Sequence, residues 1–115
     1  MNAQQTFLDR RVDPREATSL RARALYGPNG TLWADCAITD LSKGGAKIQI
    51  SAVYPLPPRF QLLQVRDGIV SGVRLRWRRG DLTGVAFEGQ RHILGSTDED
   101  LVRLEPVWRA LVAGA

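Results

Sequence analysis

A chain of 115 residues, 43% hydrophobic and 24% charged, is the size of one domain with a single small core. One cysteine and one histidine rule out an internal disulfide and a cysteine-rich metal site. They also leave few groups for acid, base or nucleophilic chemistry, so no catalytic residue, metal or cofactor is expected and the chain does not read as an enzyme.

The net charge is +4, carried by fourteen arginines and two lysines. Arginine suits planar, bidentate contact with phosphates and bases, although a GC-rich genome would enrich it regardless of function. The charge is uneven: Arg59 to Arg91 holds seven arginines against Asp67, Asp81 and Glu88, while Asp98 to Glu105 holds four acids against Arg103. No apolar run approaches a membrane span, and the N-terminus lacks a secretory pattern. A cytoplasmic location without membrane insertion is expected.

Residues 1–17 read as a flexible arm. They carry no periodicity, and Pro14 holds Asp13 out of helix. From Thr18 to Tyr26 the residues alternate, with Leu20, Ala22, Ala24 and Tyr26 on one face, which is the period of a half-buried strand. Gly27-Pro28-Asn29-Gly30 turns the chain, and Leu32 to Asp40 returns with Leu32, Ala34, Cys36 and Ile38 on one face. Cys36 reads as a small buried hydrophobe. After Asp40–Gly45, Ala46, Ile48 and Ile50 alternate in a third strand.

Pro55-Leu56-Pro57-Pro58 interrupts the pattern. Phe60 to Val65 and Ile69 to Arg78 follow as the fourth and fifth strands, separated by Asp67-Gly68. Alternation places Val73, Leu75 and Trp77 inward and Arg74, Arg76 and Arg78 outward. Leu82 to Glu88 is the sixth strand, where Gly84 hints at a bulge or a close backbone approach. His92 falls in a polar loop. Ser96-Thr97-Asp98-Glu99 reads as a helix start, and Leu101, Leu104, Trp108 and Leu111 form one apolar stripe. Pro106 either kinks that helix or starts a second one. Trp108 is expected to pack on the strands. The expected fold is all-β with a C-terminal helix: an arm at 1–17, a six-stranded antiparallel barrel at 18–92 and a helix at 96–113, in a single domain.

Two short stretches carry recognition chemistry. Asp40-Leu41-Ser42-Lys43-Gly44-Gly45 is rich in turn residues, and as a plain connection its two glycines would supply positive φ. As half of a site, the Asp40 carboxylate accepts from the N1–H and amine of a guanine, Ser42 binds a second polar group, and Gly45 admits a close approach. Arg11 and Arg15, four apart, can grip phosphates or guanine O6 and N7. Each stretch alone also reads as a turn and as a solvated basic tail.

In order, Arg11-xxx-Arg15 and Asp40-x-Ser42-x-x-Gly45 resemble the RxxxR and (D/N)xSxxG motifs of the PilZ domain family. Asp9-Arg10-Arg11 with Pro14-Arg15, Gly45-Ala46-Lys47-Ile48, Leu56-Pro57-Pro58, Val73–Arg78 and Gly84-Val85-Ala86-Phe87 extend the resemblance across residues 9–89. The resemblance implies a six-stranded PilZ-type barrel that binds the bacterial second messenger cyclic di-GMP. It implies ligand contacts from Arg10, Arg11 and Arg15 on the arm and from Asp40, Ser42, Gly44 and Gly45 on the barrel. Val12 and Asp13 depart from the family pattern. The arm would order on binding and reshape a surface for a downstream effector protein, in motility or biofilm control, with the protein a monomer or weak dimer.

Two other readings stay open: a ligand-free interaction adaptor, and a small basic barrel binding single-stranded nucleic acid through Arg74, Arg76 and Arg78. DNA-reading motifs are absent and DNA binding is not expected. The single-strand reading needs an aromatic platform, and an inward Trp77 would not supply one.

Overall fold

The computed structural model describes residues 16–114. Six strands, β1 (Glu16–Tyr26), β2 (Leu32–Leu41), β3 (Gly45–Gln49), β4 (Arg59–Gln64), β5 (Ile69–Arg79) and β6 (Leu82–His92), precede one helix, α1 (Glu99–Ala113). The strands close into an antiparallel barrel in the order β1-β2-β3-β6-β5-β4. Closure removes the free edges that an open sheet of this size would expose. The strand periodicities locate the elements, and the expected all-β fold with a C-terminal helix is the observed one. β6 runs on to His92, which therefore ends a strand rather than lying in a loop.

Alternation puts Ala22, Ala24, Ala34, Ile38, Ile48, Leu62, Val73 and Val85 in one interior cluster, each at most 3% exposed. Small residues on β1 and β2 (Ala22, Ala24 and Ala34) share this cluster with larger ones on the other strands, filling a narrow barrel. Cys36 is half-buried against this cluster. Burial first, and the Asp35 charge second, push its thiol up to about 12, so it stays protonated and inert near neutrality.

A second cluster lies outside the barrel, under α1. Leu25 and Leu63 point outward from β1 and β4 and meet Val70, Ile93, Leu101 and Trp108. The predicted stripe is thus what docks the helix, with Leu104 and Leu111 packed beside it. Trp108 is 8% exposed, and its indole N–H donates to the Val65 carbonyl at 2.7 Å. Gly68 leaves room for the ring: a Cβ there would sit 2.8 Å from the indole. Pro106 starts no second helix; α1 runs through it without a break. Its ring faces solvent, where the missing N–H leaves the Val102 carbonyl without its usual helical donor. Arg91 ties the start of α1 to β6 through Asp98 at 3.1 Å and Asp100 at 2.7 Å.

Among the described residues no helix is long and apolar enough to cross a membrane, and no cluster of potential metal ligands forms.

Candidate ligand-binding site

Two irregularities in the strands decide what the outer surface presents. In β2, Ile38 pairs with Ile48 but Asp40 pairs with Lys47, so Thr39 is an extra residue in a bulge. Strict alternation from Ile38 would turn Asp40 inward. The bulge shifts the phase, so that Leu41 joins the core side and Asp40 faces out. In β5, Leu75 pairs with Val85 but Trp77 pairs with Gly84, which makes Arg76 the extra residue. Beyond this bulge the phase is also reversed.

The expected inward placement of Trp77 is therefore wrong. Trp77 sits on the outer face, 37% exposed, opposite Gly84 and lying over it: a Cβ on Gly84 would come within 2.2 Å of the indole. The reversal also corrects Arg78, which alternation had sent outward. Arg78 takes the inward phase opposite buried Thr83, and its guanidinium donates to the Ser51 carbonyl at 2.7 Å and to the Tyr54 carbonyl. It ties β5 to the segment that follows β3. Gly84 is the close backbone approach that its position in a strand suggested, and the bulge lies on the strand opposite it.

Together the two bulges create one cross-strand row. Asp40 pairs with Lys47, Lys47 with Gly84, and Gly84 with Trp77. All four belong to the outer face, because Leu41, Ala46, Val85 and Leu75 form the neighbouring inward row. A carboxylate, an ammonium, a bare backbone and an indole thus lie side by side.

The β2–β3 turn adjoins this row. Ser42 donates its amide to the Gly45 carbonyl at 2.9 Å and its hydroxyl to the same oxygen at 3.2 Å. The hydroxyl oxygen keeps its lone pairs for an incoming donor. The Gly44 carbonyl accepts the Phe87 amide at 2.9 Å, fastening the turn to β6. Gly45 does not take the left-handed φ expected of it. It is required for closeness instead: a Cβ would lie 2.2 Å from the Val85 carbonyl oxygen. Ser42, Gly44 and Gly45 line a cleft of about 120 Å³ together with Arg76 and Trp77.

Of the predicted ligand residues, the structure brings Ser42, Gly44 and Gly45 together in one cleft and puts Asp40 on the adjoining outer row. Arg10, Arg11 and Arg15 lie outside the described residues. Sequence reasoning missed Arg76 and Trp77 as cleft residues, because a bulge is invisible to a period of two. Gly84 was the available signal, since a strand glycine opposite an aromatic residue often marks a face on which a ring lies flat.

The basic surface continues from the cleft along β5 and β4. Arg79 stands 5.4 Å from the Trp77 ring centroid. Arg59 and Arg74 share Glu88, at 2.9 Å and 3.5 Å. The hydrogen bond from Arg59 is the main reason that the Glu88 carboxyl titrates below the ordinary carboxylate range. A larger groove, about 590 Å³, opens between Tyr26, Phe60 and Arg103 where the barrel meets α1. None of the described motif residues lines it, so size alone does not identify the site.

Fold and cleft define a small closed antiparallel barrel with a polar, aromatic-walled cleft on its outside. No protein-family model and no curated protein matches this chain.

Proposed function

We propose that this barrel is a receptor for cyclic di-GMP, held between the outer face around Asp40 and Ser42 and the arginines of the N-terminal segment. The observation that carries the reading is the outer row from Asp40 to Trp77, beside the Ser42–Gly45 cleft. The two faces of a guanine ligand differ in what they need. Its Watson–Crick edge needs an acceptor for N1–H and the amine, which Asp40 supplies. Its flat face needs a stacking surface, which the exposed indole of Trp77 supplies. Arg76 at the cleft adds a cation for the phosphates. Arg11 and Arg15 would close on the ligand from the other side, an ordering that would reshape a surface for an effector protein. No bond of the ligand is made or broken.

Isothermal titration with cyclic di-GMP tests this. Wild-type protein is expected to bind at micromolar or tighter affinity, and Arg11→Ala and Asp40→Ala each to abolish it. A wild-type chain that releases no heat with the dinucleotide sinks the reading.

One observation favours a second reading. Outward Trp77, flanked by Arg76 and Arg79, supplies the aromatic platform that single-stranded nucleic acid binding requires. Proteins of that kind stack successive bases along a charged groove, whereas here a single indole is followed along the row by a glycine, then an ammonium and then a carboxylate. The row offers no second aromatic ring on which a further base could stack. A salt-dependent shift of single-stranded oligonucleotides, lost in Trp77→Ala, would favour this second reading over the first.

A further inference from the structure

Lys47 has no role in the motifs, yet it occupies the middle of the site's outer row. It is the Cα partner of Asp40 on one side and of Gly84 on the other. Directly paired residues on one face of an antiparallel sheet hold their Cβ atoms about 5 Å apart. Among the described residues its ammonium forms no ion pair. Gly84 has no side chain to cover it from β6, and its outward neighbours along β3 are Gly45 and Gln49. Its backbone is fixed: the Lys47 carbonyl accepts the Thr39 hydroxyl at 3.3 Å, across the bulge that turns Asp40 outward. Carboxylate and ammonium are thus set side by side by the same irregularity.

We infer that Lys47 is a specificity-determining residue of this site, donating a hydrogen bond to O6 of the guanine whose N1–H and amine are held by Asp40. This rests on the cyclic di-GMP reading above. The Watson–Crick edge of guanine presents two donors followed by an acceptor, and the Asp40–Lys47 pair presents the complement: an acceptor group followed by a donor. Adenine presents an acceptor at N1 and a donor at its exocyclic amine. On this pair its N1 faces a carboxylate and its amine faces an ammonium. A site built around such buried-edge hydrogen bonds rejects the ligand that cannot make them. O6 has two lone pairs, so an arginine on the Hoogsteen edge and Lys47 on the Watson–Crick edge do not compete.

The rival role for Lys47 is plain charge attraction to the ligand's phosphates, and two substitutions separate the two. Lys47→Met removes both charge and donor. Lys47→Gln removes the charge and keeps an N–H donor of similar reach. Cyclic di-GMP titrated into wild type, Lys47→Met and Lys47→Gln is expected to bind the Met variant roughly tenfold to a hundredfold more weakly, the range for a hydrogen bond to a charged group. The Gln variant is expected to recover most of that loss. Thermal unfolding of all three should coincide, because the side chain lies on the outer surface. Equal losses in Met and Gln overturn the inference in favour of charge alone, and so does a Met variant with wild-type affinity. Absence of binding by wild type removes the cyclic di-GMP reading itself and this inference with it, an outcome distinct from the other two.

Discussion

Two tryptophans in this barrel each lie over a glycine, and they do opposite things. Trp108 covers Gly68, is 8% exposed and gives its N–H to the Val65 carbonyl. Trp77 covers Gly84 and stays 37% exposed at the wall of a cleft. The first ring is brought by the helix and seals the outer face of β1 and β4. The second belongs to the barrel itself, on a face that no element of the described chain covers. The same local device, a ring on a strand or turn stripped of its side chain, closes one side of the barrel and leaves the other as an open cleft wall. Exposure, rather than residue type, distinguishes the tryptophan that seals a face from the one that walls a cleft.

That contrast can be broken most forcefully at Trp108. Trp108→Ala empties the pocket over Gly68 and orphans the Val65 carbonyl, and is expected to cost about 3–5 kcal/mol of stability, measured by urea unfolding. Ligand affinity of the folded fraction should be unchanged. Trp77→Ala should show the reverse. Its loss of stability is expected to stay within about 1 kcal/mol, because the ring is partly solvated and its cation–π partner Arg79 is exposed. Affinity for cyclic di-GMP should fall by the about 1–3 kcal/mol typical of one base stacked on an aromatic ring. If Trp77→Ala unfolds the protein as readily as Trp108→Ala, the distinction between the two faces fails.

The smallest effect concerns how the sealed face is fastened. A hydrogen bond from Arg91 is the main reason the Asp100 carboxyl titrates below its ordinary value of 3.8. A lowered folded pKa means that this contact contributes stability above the unfolded value and loses it as pH falls through the folded one. Unfolding midpoints measured from pH 5 downward should therefore drop below about pH 4. Arg91→Ala should flatten that part of the profile while leaving the cleft face unaffected. The carboxylate is largely solvated, so the change will be modest.

Most of the sealed face was legible in the sequence. Leu101, Leu104, Trp108 and Leu111 recur at helical spacing, and Leu25 interrupts the polar side of an alternating strand. The open face was legible only in part. Ser42, Gly44 and Gly45 were marked by turn chemistry and by resemblance to a family motif. The outward orientation of Asp40 depends on the extra residue at Thr39, and that of Trp77 on the extra residue at Arg76. An alternation rule carries no information about where a strand gains a residue, so it assigned Trp77 and Arg78 to the wrong faces. Of the two reasons that singled out Gly45, the left-handed turn does not hold, and the close approach found there is that of the Val85 carbonyl. Lys47 was unremarkable in the sequence because its place beside Asp40 and Gly84 depends on pairing across β2 and β6.

The bulge at Arg76 has a further consequence, for length variation. Strands rarely tolerate loss of a residue, since everything beyond the deletion changes sides. In β5 the two halves already run in opposite phase on either side of Arg76. Removing that one residue would join Leu75 directly to Trp77 and leave the indole outward and Arg78 inward. Deletion of Leu75 or Trp77 would instead remove a core residue or the platform itself. Arg76 is thus the place where this strand can shorten without scrambling its two faces, and a one-residue deletion there should fold, keep Trp77 over Gly84 and lose only a charge at the cleft.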